Sequence, residues 1–182
     1  MYYHKKIKII FILFFFLFFN MSLLAKENLS VYDFKFVDID DNNIELIKFE
    51  GKPILLVNTA SRCGFTSQYE SLQNLFLNYR NTNLTIIAAT SNSFNQEYSS
   101  TEEIKKICLV NYDVGFIVSG PISVTGEGAH PLYQRLNEEY GKRPKWNFYK
   151  FLFNTKGELV DSWSSMTKPD SKKITNKIDD LI

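Results

Sequence analysis

The segment GKPILLVNTASRCGFTSQYESL, residues 51–72, carries the pattern that decides the fold. Residues 52–60 form an almost continuous apolar run, which is typical of a strand covered on both faces of a sheet. Ser67 and Glu70 then match a capping box, which predicts the start of a helix. Cys63 falls in the turn between these two elements. The chain therefore places one of its two cysteines at the carboxyl end of a buried strand.

The alternation of strand and helix continues after this unit. Residues 84–90, LTIIAAT, are typical of a second buried strand, and residues 100–103 form another capping box, in front of a helix that carries Cys108. A strand, a helix and a second strand in this order predict a parallel βαβ unit with a right-handed crossover. Later segments predict a helix, two antiparallel strands and a closing amphipathic helix, at 130–140, 148–154, 157–164 and 170–182.

A hairpin precedes this core. Residues 31–49 alternate apolar and polar side chains on both sides of a turn at residues 41–43. A βαβ unit followed by an antiparallel pair and a last helix resembles the thioredoxin-like arrangement. We therefore expect a single α/β domain over residues 26–182, with a thioredoxin-like fold, an N-terminal β-hairpin and a central mixed sheet flanked by helices.

The first 25 residues have the composition of a targeting segment. Three lysines within residues 1–8 precede an apolar run that ends at Phe19, and a cleavage point follows Ala25. This order is typical of a secretory signal peptide, and the run is short for a transmembrane helix of about 20 residues. We expect residues 1–25 to be removed and the mature protein to be periplasmic or secreted. The alternative is an uncleaved N-terminal anchor that holds the domain at the membrane, facing the periplasm.

The charge of the chain and its number of metal-binding side chains argue against a nucleic-acid-binding protein and against a zinc protein. Removing residues 1–25 takes three lysines and no acidic residue from 21 basic and 20 acidic ones, which leaves a net charge of about −2. We therefore expect no nucleic-acid partner. The chain after residue 25 then has one histidine, His130, and two cysteines. We do not expect these residues to assemble a zinc site of three or four Cys and His ligands. Because His130 precedes Pro131 at a predicted helix start, we expect it to cap that helix.

The position of Cys63 favours a reactive thiol. Unpaired backbone N–H groups and the dipole at a helix N-terminus favour negative charge, and Arg62 adds a neighbouring cation. Such surroundings stabilise the thiolate, which is the form that attacks peroxides and becomes sulfenic acid. The alternative is that Cys63 is a small buried hydrophobic residue, a common role of free cysteine.

Cys108 follows 45 residues after Cys63. No C-x-x-C pair exists, which excludes the local dithiol chemistry of thioredoxins. The two cysteines could form a structural bridge, as in many exported proteins. They could instead be an attacking thiol and a resolving thiol, where the sulfenic acid on one condenses with the other to a disulfide. Their spacing does not separate these alternatives.

Three segments resemble the glutathione peroxidase family. They are residues 51–72, GEGAHPLYQRLNEEYG at 126–141, and KWNFYKFLFNTKGELVDSWSSMTKP at 145–169. The resemblance implies a thioredoxin-like fold and a cysteine-dependent antioxidant peroxidase that reduces hydrogen peroxide or organic hydroperoxides. The reductant it implies is a thiol co-substrate, glutathione or a thioredoxin-like protein, with no metal or prosthetic group.

The resemblance also assigns roles to residues. Cys63 matches the peroxidatic cysteine or selenocysteine of the family, and Trp146 and Asn147 match the tryptophan and asparagine of its WNF segment. Indole and carboxamide N–H groups are donors that can stabilise a thiolate and orient a peroxide. Without the resemblance, a core aromatic is the simpler interpretation of Trp146.

One partner expected from the family is replaced. Ser93 stands where the family usually has a glutamine, in a CNQF segment, and the segment that follows is one residue shorter. A serine hydroxyl is too short to reach the sulfur without a bridging water. We therefore expect activity at a lower level, with Gln96 or Asn95 shifted into the gap.

Cys108 matches the resolving cysteine of family members that use thioredoxin. The match implies that peroxide oxidises Cys63, that Cys108 condenses with it, and that an external dithiol reduces the bridge. Because a disulfide requires Cα atoms within about 7 Å, the helix that carries Cys108 must partly unwind. Two alternatives stay open: a low-activity redox sensor that uses a Cys63–Cys108 disulfide, and a domain with a purely structural disulfide.

Overall fold

The computed structural model describes residues 30–182, so the predicted signal peptide or anchor at residues 1–25 lies outside the described residues. A five-stranded mixed sheet has helices on both faces, and a two-stranded hairpin precedes it. The strands are β1 (Lys35–Val37), β2 (Asn43–Glu45), β3 (Ile54–Thr59), β4 (Thr85–Thr90), β5 (Ile117–Val118), β6 (Lys150–Phe153) and β7 (Leu159–Trp163). The helices are α1 (Gln68–Tyr79), α2 (Thr101–Lys105), α3 (Pro131–Tyr140) and α4 (Lys172–Asp179). Within this described part, no helix combines the length and apolar character needed to cross a bilayer.

Strand β3 lies at the centre of the sheet, whose order is β5-β4-β3-β6-β7. It runs parallel to β4 and antiparallel to β6, which confirms the predicted βαβ unit. All its residues are buried, as expected of a strand covered on both faces. Because side chains alternate along a strand, Leu55 and Val57 face the layer of α1, α2 and α4, whereas Ile54 and Leu56 face the layer of α3. The predicted antiparallel pair of β6 and β7 is also confirmed.

The predicted N-terminal hairpin is present and short. Strands β1 and β2 pair antiparallel, and they direct Phe36 and Ile44 into the layer of α3. The carboxylate of Asp38 closes the turn, since it accepts hydrogen bonds from the N–H groups of Asp40 and Asn42 at 2.8 Å each. The hairpin therefore covers part of the core on the α3 side of the sheet.

The capping box predicted over residues 67–70 is wrong, although its helix is present. Helix α1 begins at Gln68, but Ser67 already has helical backbone angles and its side chain makes no capping hydrogen bond. The chain turns earlier: the N–H of Tyr69 donates to the carbonyl of Thr66 at 3.0 Å, and the N–H of Glu70 donates to the carbonyl of Ser67 at 3.2 Å. These turns supply acceptors for N–H groups that a side-chain cap would otherwise satisfy.

The helix that carries Cys108 begins as predicted and then changes geometry. The Ser100 hydroxyl accepts a hydrogen bond from the N–H of Glu103, which caps α2. Helix α2 continues into a π-helical segment over Lys106–Asn111, and Cys108 lies inside it. Such segments are rare and occur frequently at functional sites.

Candidate active site

Cys63 lies in a tight turn after β3. Its N–H donates to Thr66 Oγ1 at 3.0 Å, and the Thr66 hydroxyl contacts the carbonyl oxygens of Cys63 and Ala60 at 2.7 and 3.0 Å. The N–H of Phe65 donates to the sulfur, with 3.4 Å between N and Sγ. Cys63 is only 7% exposed. The turn therefore fixes the sulfur and gives it a backbone donor, which stabilises negative charge.

The charge of Arg62 is engaged away from the sulfur. Its guanidinium stacks on Tyr98, with 5.4 Å between Cζ and the ring centroid, as in a cation–π contact. The structure therefore gives the Arg62 side chain a partner other than Cys63.

Asn58 of β3 holds the WNF segment against the sheet. Its Nδ2 donates to the carbonyl of Trp146 at 3.0 Å, and its Oδ1 accepts from the N–H of Tyr149 at 3.0 Å. Its backbone carbonyl accepts from the N–H of Phe148 at 2.5 Å. Phe148 has a φ of 62°, a left-handed conformation that costs a residue with a Cβ about 1–2 kcal/mol. The hydrogen bonds of Asn58 hold this segment beside the strand that leads into the cysteine turn.

The two predicted donors of the WNF segment have different surroundings. Trp146 is 40% exposed and packs on Phe94, with ring centroids 5.3 Å apart, so it is not a core aromatic. Asn147 is fully buried: its Nδ2 donates to Gln96 Oε1 at 3.2 Å, and its carbonyl accepts from Ser165 Oγ at 2.5 Å. Asn147 Oδ1 has no hydrogen-bond partner among residues 30–182.

Gln96 joins the cysteine turn to the WNF segment. Its backbone carbonyl accepts from the N–H of Arg62, the neighbour of Cys63, at 2.9 Å. Its side-chain Oε1 binds Asn147. The other residue expected to fill the gap, Asn95, occupies a left-handed turn position with a φ of 57°. The structure thus brings Gln96 into contact with both parts of the site.

Glu97 anchors the same loop through a buried carboxylate. The N–H of Ser61 lies 3.1 Å from each carboxylate oxygen, and the N–H of Tyr98 donates to Oε1 at 2.8 Å. Burial raises the pKa of Glu97, although these hydrogen bonds oppose the shift. A buried acid therefore fixes the loop to the residues that precede Cys63.

Ser93, the position of the missing glutamine, binds a different part of the chain. Its Oγ accepts from the N–H of Val124 at 2.9 Å and contacts the hydroxyls of Ser91 and Ser123 at 3.0 and 3.3 Å. These partners follow β4 and β5, so Ser93 ties two loops together. Its hydroxyl is engaged there rather than at Cys63.

Cys108 is buried in the core layer that also contains Cys63. Its thiol donates to Tyr69 Oη at 3.3 Å, and burial raises the pKa of Cys108 to about 11. The Tyr69 ring packs edge-on against Phe148, with centroids 5.5 Å apart. Both cysteines are free thiols, so the structure describes the reduced protein without a structural bridge.

His130 caps α3, as the sequence predicts. Its Nδ1 accepts from the N–H of Leu132 at 3.3 Å, and its Nε2 lies 2.8 Å from the carbonyl oxygen of Lys35. Burial lowers the pKa of His130, which favours the neutral ring that this pair of bonds requires. In the part of the chain that the structure describes, no three His, Cys, Asp or Glu side chains gather where they could hold a metal ion.

Comparison with known proteins agrees with this geometry. Residues 31–137 match the family described as glutathione peroxidase. The glutathione peroxidase-like peroxiredoxin of Schizosaccharomyces pombe is 41% identical over 144 residues, which cover 76% of this chain and 91% of that protein. The glutathione peroxidase of Lactococcus lactis subsp. cremoris is 37% identical over 147 residues, which cover 78% and 94%. The chain belongs to the glutathione peroxidase family.

A solved structure extends the agreement to the fold. The crystal structure of Trgpx in its apo form has a TM-score of 0.69 and 35% identity, covering 85% of this chain and 96% of that chain. The expected thioredoxin-like fold and the expected thiol peroxidase of the glutathione peroxidase family are therefore confirmed.

In this glutathione peroxidase family member, sequence reasoning missed a buried lysine amine. Lys150 of β6 is fully buried, and its Nζ donates to Gln68 Oε1 at 2.5 Å and to the carbonyl of Thr167 at 2.7 Å. Among residues 30–182 it forms no salt bridge. The sequence feature that could have indicated this burial is the position of the lysine inside the apolar run FYKFLFN, on the same strand face as buried Leu152.

Lys150 makes the stability of the fold depend on pH. Burial lowers the pKa of Lys150 from 10.5 to about 7. Between these values the unfolded chain binds the lysine proton and the folded chain does not, so the free energy of unfolding should rise with pH, by at most about 1.4 kcal/mol per unit. Urea titrations of the reduced protein from about pH 7 to 9 should show the rise, and Lys150→Met should remove it. Above about pH 9 the raised pKa of Cys108 acts in the opposite direction.

The matched control is Lys156→Met, which removes an exposed lysine. It should keep the wild-type pH dependence. Parallel pH curves for wild type and Lys150→Met would contradict the prediction.

Proposed function

We propose that Cys63 is the peroxidatic nucleophile of a two-cysteine thiol peroxidase, with Cys108 as its resolving thiol. Trp146, Asn147 and Gln96 are the proposed donors around the sulfur. The observation that carries this proposal is the contact of Gln96 with both the residue before Cys63 and Asn147. Because Gln96 Oε1 accepts from Asn147, its Nε2 remains available as a donor, which is the role of the replaced glutamine.

In the first step the Cys63 thiolate attacks an oxygen of the peroxide. An S–O bond forms and the O–O bond breaks, and the leaving hydroxide or alkoxide takes a proton and departs as water or alcohol. Cys63 becomes a sulfenic acid. The N–H of Phe65 supports the thiolate, and the Trp146 and Asn147 donors stabilise the charge that develops on the leaving oxygen.

In the second step the Cys108 thiol attacks the sulfenic sulfur. An S–S bond forms and water leaves. Cys108 first breaks its hydrogen bond to Tyr69, and the π-helical segment opens so that the two Cα atoms approach within about 7 Å. An external dithiol then returns two electrons and two protons. We propose a thioredoxin-like dithiol as the reductant because the intramolecular bridge offers a disulfide for exchange.

The proposed substrates are hydrogen peroxide and organic hydroperoxides. Exposed Trp146 and half-buried Phe94 form an aromatic pair. Phe94 also lines an open cleft of about 810 Å³ together with Val124 and Pro144. This cleft, which Glu138 and Arg143 also line, leaves room for a larger hydroperoxide.

The two-cysteine cycle predicts a distinct mass change. Reduced protein treated with one equivalent of hydrogen peroxide should lose two hydrogens, because Cys108 traps the sulfenic acid as a disulfide. In Cys108→Ser, a sulfenic acid should accumulate at Cys63 and react with dimedone. Intact-mass and peptide mass spectrometry measure both outcomes.

Cys63→Ser is the control, and it should gain no oxygen at one equivalent. A Cys63 that stays a thiol in Cys108→Ser contradicts the peroxidatic role. Steady-state peroxide consumption with a thioredoxin system or with glutathione then separates turnover from the sensor alternative, in which the protein oxidises once and stops.

The role of Gln96 predicts opposite outcomes for two substitutions in one loop. Gln96→Ala removes the proposed donor and the contact to Asn147, so the rate constant of Cys63 oxidation should fall about tenfold to a hundredfold. Ser93→Ala should stay near wild type because Ser93 binds the loop at Val124. Stopped-flow oxidation of the reduced proteins measures both. A larger loss of rate in Ser93→Ala than in Gln96→Ala would show instead that Ser93 is the donor.

We also propose export with cleavage after Ala25. The proposal rests on the sequence order of basic, apolar and small residues within 1–25. Expression of the full chain in a bacterium should yield a periplasmic protein that begins at Lys26, read by N-terminal sequencing. Phe15→Arg interrupts the apolar run and should keep the full chain in the cytoplasm. Full-length wild type in the membrane fraction would instead support the uncleaved anchor.

A further inference from the structure

A buried chain of polar contacts connects the start of α1 to Asn147. Lys150 Nζ donates to Gln68 Oε1 at 2.5 Å, and Gln68 Nε2 donates to the carbonyl of Ser165 at 2.6 Å. Ser165 Oγ then donates to the carbonyl of Asn147 at 2.5 Å. These four residues are between 0% and 7% exposed. The contacts join α1, β6 and the loop after β7 within the protein interior.

Lys150 occupies the point where these elements meet. It pairs with Val57 across β3 and β6, two residues before β3 ends. Its side chain shares the strand face of Leu152, which packs in the layer that contains Cys63. Its second bond, to the carbonyl of Thr167, holds the loop that also carries Ser165.

The chemistry of Lys150 points to more than packing. Burying an amine without a carboxylate partner is unfavourable, and an apolar side chain of similar length would fill the same space. The amine instead supplies the N–H groups for two buried acceptors, Gln68 Oε1 and the carbonyl of Thr167. In the described range 30–182 no other side chain donates to Gln68 Oε1. Lys150 and the Ser165 carbonyl therefore fix the orientation of the Gln68 carboxamide together.

We infer that Lys150 is a positioning residue for peroxide reduction. It acts through Gln68 and Ser165 to fix the position of Asn147 relative to the helix that follows Cys63. The inference rests on the proposed roles of Cys63 and Asn147. Lys150 bonds to neither residue. Without its amine the Gln68 carboxamide keeps only its bond to Ser165, so Gln68 is less restrained, and Ser165 and the Asn147 carbonyl that it binds are held less firmly. A displacement of about 1 Å at a reacting group can slow a reaction about a hundredfold.

The test compares two reactions of the Cys63 sulfur. Reduced protein is mixed with hydrogen peroxide in a stopped-flow instrument, and in parallel with iodoacetamide, which alkylates the thiolate without an O–O bond to break. Lys150→Met should lower the peroxide rate constant about tenfold or more and leave the alkylation rate near wild type. Ser165→Ala should act in the same direction. The double variant should be about as slow as the slower single variant, because both substitutions break one chain of contacts.

Leu132→Ala is the control for lost stability, because Leu132 is buried in α3 on the other face of the sheet. It should lower the melting temperature and keep both rates. Wild-type peroxide rates in Lys150→Met, or equal losses in the peroxide and alkylation rates, would overturn the inference.

Two further outcomes are decisive. If Lys150→Met does not fold, the test rests on Ser165→Ala. A wild-type peroxide rate in that variant would show that Ser165 does not position Asn147, and it would overturn the inference. If wild type oxidises no faster than Cys63→Ser, the proposed peroxidatic site fails, and the role of Lys150 fails with it. That comparison involves neither Lys150→Met nor Ser165→Ala, so it separates failure of the peroxidatic site from failure of the Lys150 role alone.

Discussion

The site depends on one asparagine in the central strand. Asn58 uses both ends of its carboxamide and its backbone carbonyl to bind the segment from Trp146 to Tyr149. Such bonds are strong in a dry interior, and an unpaired carboxamide there is unfavourable. Because Asn58 belongs to the strand that leads into the cysteine turn, a single residue sets the distance between two segments that are far apart in sequence.

The sequence predicted the elements better than the contacts between them. The apolar run of β3 and the alternation after it predict a buried strand in a βαβ unit, because side-chain periodicity reflects local geometry. The Ser67 cap failed because successive turns after Cys63 already engage the N–H groups. Gln96 contacts Arg62, which lies 34 residues earlier in the sequence, and Lys150 contacts Gln68, which lies 82 residues earlier. No periodicity predicts such contacts. The resemblance to a known family supplied the roles of Cys63, Cys108, Trp146 and Asn147 and pointed to Gln96 or Asn95 for the gap at Ser93, but it gave no role to Lys150.

In the reduced protein, the surroundings of Cys108 oppose the reaction of its thiol. Cys108 is buried, its thiol is bound to Tyr69, and its pKa is raised by burial, all of which oppose reaction in the folded conformation. The segment around it is π-helical, a geometry that is rare and occurs frequently at functional sites. The first cysteine sits in a hydrogen-bonded turn and the second in a buried π-helical segment.

The exposed position of Trp146 gives the site an optical property. The chain has two tryptophans, and the other, Trp163, lies in β7 against the core. The indole of Trp146 is 40% exposed and rests on Phe94, in the segment that Asn58 ties to the cysteine turn. Indole emission responds to the polarity and charge of its surroundings. The protein thus carries a native fluorophore in its proposed active site, so the proposed reaction of Cys63 can be followed without an added label.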